Sequence, residues 1–564
     1  MPAPTSAHTP TPGTSTTPDI PDAQAATPVA PAASATHTAP ATDAALGAHA
    51  ATQVAAPANP AVSGTHTAPT TASVLGAHTA TEVPAPPAPA ASATTTAPAT
   101  PAAPNAPATP LRTLNALVPS GSYGPHRRAV VPDVAGRPFV DLAMVPRLAV
   151  VRAVEGMRRV HAPDPERVRE VIGAAGRLFA TGTLDGETPE DYCRSVSRTA
   201  GLPLATPRAA LRLFETGAAA IADAADGQRP VAVAPRFPWA GGALAPGAVW
   251  TRRGDVLAVL APGNHPGPHL EWLTALALGY RVAVRPSRRD PFTPARLVKA
   301  LRAAGLDPAH CVLLPGGHEV GDALVAAADR SVVFGGDDVV HRYREDGAVL
   351  TQGPGRSKIL ITAGTDWRRH LDVIEESVTS GGGLGCVNAT ALLVEGDARP
   401  VAEALAARLA RLPVLPPEDP GAALPVTPLA RAHALRGHLA RRAAHTEPLL
   451  GADSLVADLG DGSAALRPAL HLAADPRDPV LGAEMPFPCL WVAPWHRRDG
   501  LGPLRHSLAL MTLTGDTGLT ASALAEPTIR NVFLGSRPTS TYVPGLPHDG
   551  HLAEFLMTAT TVVP

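Results

Sequence analysis

Apolar residues recur along this chain in two rhythms, and the change between them divides it. Val168, Val171, Ile172, Ala175 and Leu178 return at intervals of three and four, which predicts an amphipathic helix. Ala209, Leu211, Leu213 and Phe214 begin a second. After Pro235 the pattern changes to short apolar runs alternating with helical stretches. Val256–Leu260 reads as a buried strand that ends at Pro262-Gly263, and His269 to Leu278 as a helix stopped by Gly279. Arg281–Val284 is a second strand. Pro294–Ala304 is a second helix, with Pro near its first turn and Gly305 as its C-terminal stop. Val312–Leu314, Val320–Ala328 and Val332–Phe334 continue as strand, helix and strand. This alternation predicts a parallel sheet covered by helices on both faces, which binds ligands at the carboxyl ends of its strands. The texture resumes after Gly353 at Ile359–Ile361, Ala391–Val394, Leu490–Val492 and Leu508–Leu513. The fold class is therefore α/β, with two doubly wound domains.

The first 110 residues have neither rhythm. They hold 21 of the 64 prolines and four acids, with no Phe, Tyr, Trp, Lys or Arg. Too few large apolar side chains are present to offset the entropy of ordering, which predicts a disordered tail. Thr36-His37-Thr38-Ala39-Pro40 returns as Thr65-His66-Thr67-Ala68-Pro69, and Leu46-Gly47-Ala48-His49 as Leu75-Gly76-Ala77-His78. These units offer no apolar face to stack, so they read as a duplicated low-complexity tract and not as a solenoid. No positive segment followed by an apolar one opens the chain, as a secretory signal would require.

Composition narrows the function classes. The formal charge of −2 over 564 residues excludes a strongly basic nucleic-acid binder and gives no polybasic membrane footprint. No uninterrupted apolar run is long enough for a spanning helix. Cys193, Cys311, Cys386 and Cys489 are too few and too scattered for a disulfide framework or a zinc site, which fits a reducing cytoplasm. No metal is expected. His548-Asp549-Gly550-His551 reads as a solvated loop, and His265 and His269 as packing or cavity-lining rings.

The chemistry sits at the strand ends. Neither a Gly-x-Gly-x-x-Gly after a strand nor a Walker loop occurs. Instead Pro262-Gly263-Asn264-His265-Pro266 follows the first strand, Arg285-Pro286-Ser287 the second, Pro315-Gly316-Gly317 the third and Phe334-Gly335-Gly336 the fourth. Gln352-Gly353-Pro354-Gly355 and Gly381-Gly382-Gly383-Leu384-Gly385-Cys386 come next. In order and spacing this pattern resembles the aldehyde dehydrogenase superfamily over about residues 235 to 564. Asn264 stands where that family has the Asn of Pro-Trp-Asn-Phe-Pro. Pro315 to Gly321 resembles the loop before the third helix of its cofactor domain. Gln352 and Cys386 keep the interval between the family's Glu-Leu-Gly-Gly-Lys glutamate and its nucleophilic cysteine, and Glu484 before Phe487-Pro488 matches its Glu before Phe-Gly-Pro.

After the disordered tail (1–110) and an N-terminal helical segment (111–235), the resemblance implies a Rossmann-like nicotinamide domain (236–351), a catalytic α/β domain (352–525) and a C-terminal segment with an oligomerisation strand (526–564). It implies Cys386, Asn264 and Gln352 as catalytic residues. Pro262, Gly263, Arg285, Ser287, Gly317, Gly335, Gly336, Gly353 and Glu484 would bind NAD or NADP. The substrate would be a small aldehyde or acyl thioester, and the strand Thr558–Val563 would join a neighbouring subunit in a homo-oligomer. A thiol is the best side-chain nucleophile near neutral pH, and its thiohemiacetal oxyanion needs donors, for which the Asn264 amide and the Cys386 N–H qualify. Three departures stand out. Gln352 cannot accept a proton where the family places its general base. Arg285 replaces a lysine. Asp337 and Asp338 stand where a phosphate would meet a serine, and would repel it unless they turn away. These changes are similar to the acyl-CoA reductase and acylating branches; a catalytically eroded scaffold is the remaining alternative.

Overall fold

A computed structural model of the protein describes residues 111–235 and 246–563. The Ala/Pro/Thr-rich tail expected to be disordered lies outside the described residues. Two seven-stranded sheets organise the rest. In chain order, β1 (Ala116–Val118) and β2 (Gly121–Tyr123) form a hairpin. Helices α1 (Arg147–Arg158), α2 (Pro165–Thr181), α3 (Pro189–Ala200) and α4 (Ala205–Gly227) follow. Then come β3 (Gly247–Arg252), β4 (Val256–Leu260), β5 (Arg281–Arg285), β6 (Cys311–Leu313), β7 (Arg330–Phe334) and β8 (Val349–Gln352). The first sheet runs β8-β7-β4-β5-β6-β1-β2, parallel from β8 to β6. The chain steps from β4 outward to β6, then returns to the far side of β4 with β7. That reversal opens a crevice beyond the carboxyl ends of β4 and β7, the usual place for a ligand in such sheets.

The second sheet contains β9 (Ser357–Ile361), β10 (Ala389–Glu395), β11 (Cys489–Trp495), β12 (Ser507–Leu513) and β13 (Ile529–Leu534). They are ordered β11-β10-β9-β12-β13 and all parallel, with Ala469–Leu472 and Glu447–Leu450 beyond β11. Nearly every residue of β9, β10, β11 and β12 is buried. That is why these strands read as unbroken apolar runs and not as alternating ones.

The structure corrects two expectations about organisation. The segment 111–235 is not purely helical, since five strands precede α1, three of them making a separate small sheet. They are three to six residues long and partly exposed, too short to print a rhythm on the sequence. The second sheet also extends to Leu534, past the boundary expected at 525. Moreover β14 (Met557–Val562) pairs antiparallel with β3 of the same chain, so its partner among the described residues is internal. The helical segment is bound to the first sheet's core. Arg296, fully buried, donates to the carbonyls of Phe179, Gly182 and Glu187 and so satisfies the C-terminal end of α2.

Candidate active site

All twelve residues predicted for catalysis and cofactor binding line one cavity of about 1030 Å³ at the crevice. β4 delivers Pro262, Gly263 and Asn264, β5 delivers Arg285 and Ser287, and β7 delivers Gly335 and Gly336. A Cβ at Gly263 would lie 2.3 Å from the Ser287 hydroxyl, so only glycine lets these two loops meet. The Arg285 guanidinium donates to the Gly317 carbonyl (3.1 Å), which fixes it on the cavity wall.

Cys386 is aimed by its own backbone. Gly381, Gly382 and Gly383 have φ of 62°, 76° and 68°, three successive left-handed residues that side chains would strain. Asn388 pins the turn: its Oδ1 accepts from the Gly385 N–H (2.8 Å) and its Nδ2 donates to the Ser377 and Ser380 carbonyls. From the other side, the Ser357 hydroxyl donates to the Cys386 carbonyl (3.0 Å). Asn264 Nδ2 donates to the Leu384 carbonyl (2.7 Å), which orients its amide and leaves a second N–H for another acceptor. Glu484 Oε1 accepts from the Arg356 N–H (2.6 Å), and burial raises its carboxyl.

Burial, together with Glu271, Glu484 and Asp549, pushes the Cys386 thiol up to about 12. Cys193, Cys311 and Cys489 are buried in the cores, as expected. The acids that threatened a phosphate are partly dealt with, because Asp337 pairs with Arg356 at 2.5 Å. Gln352 ends β8 on the same cavity wall.

One sequence reading is overturned. His548 does not sit in a purely solvated loop: its Nε2 is 3.5 Å from the Cys386 sulfur. The separation of 162 residues hid this contact, and a His-Asp-Gly-His turn carries no local sign of it. His265 instead accepts the Gly267 N–H at Nδ1, and His269 is fully buried. Among the described residues no group of three His, Cys, Asp or Glu side chains could hold a metal ion, and no helix is long and apolar enough to cross a membrane.

Residues 255–500 match the model of the aldehyde dehydrogenase family. An N-succinylglutamate 5-semialdehyde dehydrogenase of Caulobacter sp. (strain K31) is 31% identical over 176 residues, 29% of this chain and 36% of that protein. A second, from Caulobacter vibrioides, is 28% identical over 259 residues, covering 44% of this chain and 52% of its own. The chain thus spans between a third and about half of these relatives' lengths. Among solved structures, a 1-pyrroline-5-carboxylate dehydrogenase mutant of Thermus thermophilus superposes with a TM-score of 0.67 at 16% identity, covering 80% of this chain and 93% of that one. An indole-3-acetaldehyde dehydrogenase complexed with NAD+ gives 0.66 at 17%, covering 79% and 96%. At such identities the likeness establishes the fold.

Proposed function

We propose, from the match of residues 255–500 to the aldehyde dehydrogenase family model, that the protein is an NAD(P)-dependent oxidoreductase. It interconverts an aldehyde and an acyl derivative through a thiohemiacetal and a thioester on Cys386. The observation that carries this reading is the convergence of Cys386, Asn264, Gln352 and Glu484 with the glycine-lined strand ends on one cavity.

The residues present suit a dinucleotide. Gly263, Gly335 and Gly336 open the strand ends to close backbone approach, Arg285 and Arg356 supply positive charge, and Glu484 is the carboxylate beside them. A bound nicotinamide supplies a hydride acceptor for oxidation and a donor for reduction. The chain's own residues do the rest. The Cys386 sulfur attacks the carbonyl carbon, and the free Asn264 N–H with the Cys386 backbone N–H are the donors for the resulting oxyanion. Gln352 can orient an acyl acceptor but cannot deprotonate it, which favours acyl transfer to a thiol such as coenzyme A over hydrolysis. Acyl-thioester reduction is the same chemistry reversed. The relatives' names make a carboxylate-bearing semialdehyde the first substrate to try. Four free cysteines fit a reducing cytoplasm.

The test is nicotinamide reduction by the purified full-length chain, with semialdehydes and with or without coenzyme A. Cys386→Ser should abolish it while thermal stabilisation by the nucleotide survives. If neither nucleotide raises the unfolding temperature and no aldehyde or acyl thioester reacts, the protein is a scaffold and not an enzyme.

A further inference from the structure

We propose that His548 is the proton acceptor for Cys386, with Glu271 positioned to hold the imidazolium that results. The inference rests on the proposed nucleophilic role of Cys386 and supplies the base that position 352 lacks. His548 Nε2 faces two groups, the Cys386 sulfur at 3.5 Å and Glu271 Oε1 at 3.9 Å. All three side chains are largely shielded from solvent: Cys386 is half-buried, and the side chains of His548 and Glu271 are 18% and 20% exposed. The ring is held in place by its surroundings. Asn531, on β13, donates from Nδ2 to the His548 carbonyl (2.5 Å), and Arg530 pairs with Asp549 at 3.1 Å, tying the segment to the second sheet. The Tyr542 ring meets the imidazole edge-on, with centroids 6.4 Å apart.

The electrostatics call for such a partner. Burial disfavours a lone thiolate most, and Glu271, Glu484 and Asp549 add to its effect. Proton transfer inside the Cys386–His548 contact avoids this penalty, because the pair stays neutral overall. The Nε2 end of the imidazolium then faces both the thiolate and the Glu271 carboxylate. His265, the other ring near His548, is driven toward the neutral form by burial and by His548 itself, so it brings no competing charge.

The steps balance as follows. The S–H proton passes to His548 Nε2, and the sulfur lone pair forms the C–S bond while the carbonyl π pair becomes the oxyanion. The oxyanion collapses to the thioester as a hydride leaves for an oxidised nicotinamide, the oxidant. His548 releases its proton to solvent, which accounts for the proton liberated by the oxidation. It next takes the proton of the incoming thiol as that acceptor attacks the thioester. Breaking of the C–S bond returns a thiolate to Cys386, which recovers this proton from His548.

The experiment follows alkylation of Cys386 in the full chain by iodoacetamide against pH, with peptide mass spectrometry as readout and no nucleotide or aldehyde present. Wild type should show an inflection at least one pH unit below that of an ordinary thiol, near 8.5. His548→Gln and His548→Asn should move it above 9 and slow alkylation at pH 7 by tenfold or more, and Glu271→Gln should give an intermediate profile. Circular dichroism establishes that each variant is folded. A wild-type inflection at or above 8.5 overturns the inference without recourse to any variant, as does an unchanged profile in folded His548 variants. If the alkylation profile depends on His548 yet no nucleotide binds and no aldehyde reacts, the inference stands and the enzymatic reading falls.

Discussion

In the proposed reaction the groups around Cys386 come from distant parts of the chain. Cys386 stands out in the sequence beside a run of glycines, whereas Asn264 and Glu484 stand out only through the order and spacing they share with the aldehyde dehydrogenase family; all three line one cavity. His548 was not, because its meaning lies wholly in a contact across the fold. Gln352 was legible as a departure, and its consequence can be measured. Gln352→Glu should raise release of free acid without a thiol acceptor by about a hundredfold, the lower end of the usual range for a general base. Rapid acid release by the wild type would show that another group, His548 first among them, already serves water. His269 makes a second test at this scale. Burial depresses its pKa to about 3, against about 6.5 in an unfolded chain. The unfolded form therefore binds a proton that the folded form refuses. Stability is fully present above about pH 6.5 and is lost as pH falls toward 3, by about 1.4 kcal/mol per unit. Urea midpoints of His269→Gln should fall less steeply than wild type between pH 6 and 4; parallel curves would refute the assignment.

Whole elements were legible wherever burial on both faces turned a strand into an apolar run, which holds for every strand named after Pro235 in the sequence reading. Short, half-exposed strands such as Arg112–Leu114 and Arg128–Pro132 leave no such run, so the sequence shows only the helical spacing that follows them. The glycine turn before Cys386 behaves as an element too. A Cβ at Gly383 would sit 2.7 Å from the Pro488 nitrogen at a left-handed φ, so Gly383→Ala should cost about 2–4 kcal/mol and misplace the thiol. Denaturant midpoints and the Cys386 alkylation rate would both register it. The β3–β14 ribbon pairs six residues on each side; the outer edge of β3 takes a parallel bridge from Ala234, and that of β14 has no further strand among the described residues. Exposed edges of this kind seek partners. Light scattering should find a dimer or tetramer, and a chain ending at Leu556 should be smaller. A monomeric wild type would remove the ribbon from any role in assembly.

At the scale of the molecule, the α/β class and the crevice followed from the alternation of runs, whereas the closing of the first sheet's core by distant segments did not. Tyr280 donates from its hydroxyl to the Leu556 carbonyl (2.6 Å), and Leu556 lies in the same buried cluster as Leu257 and Val282. Residues 552–557 are thus part of a core whose strands begin at Val256, 300 positions before Leu556. Protein synthesis at about 5–20 residues per second puts roughly 15–60 s between the two. For that interval a nascent chain carries a nearly complete parallel sheet with one wall of its core open to water. The core of the first sheet then finishes last, although all seven of its strands are made by Gln352, and a pause late in translation is more hazardous than one in the middle. Chains stopped at residue 551 should accumulate as aggregates bound by chaperones, while those reaching Leu556 should be recovered soluble.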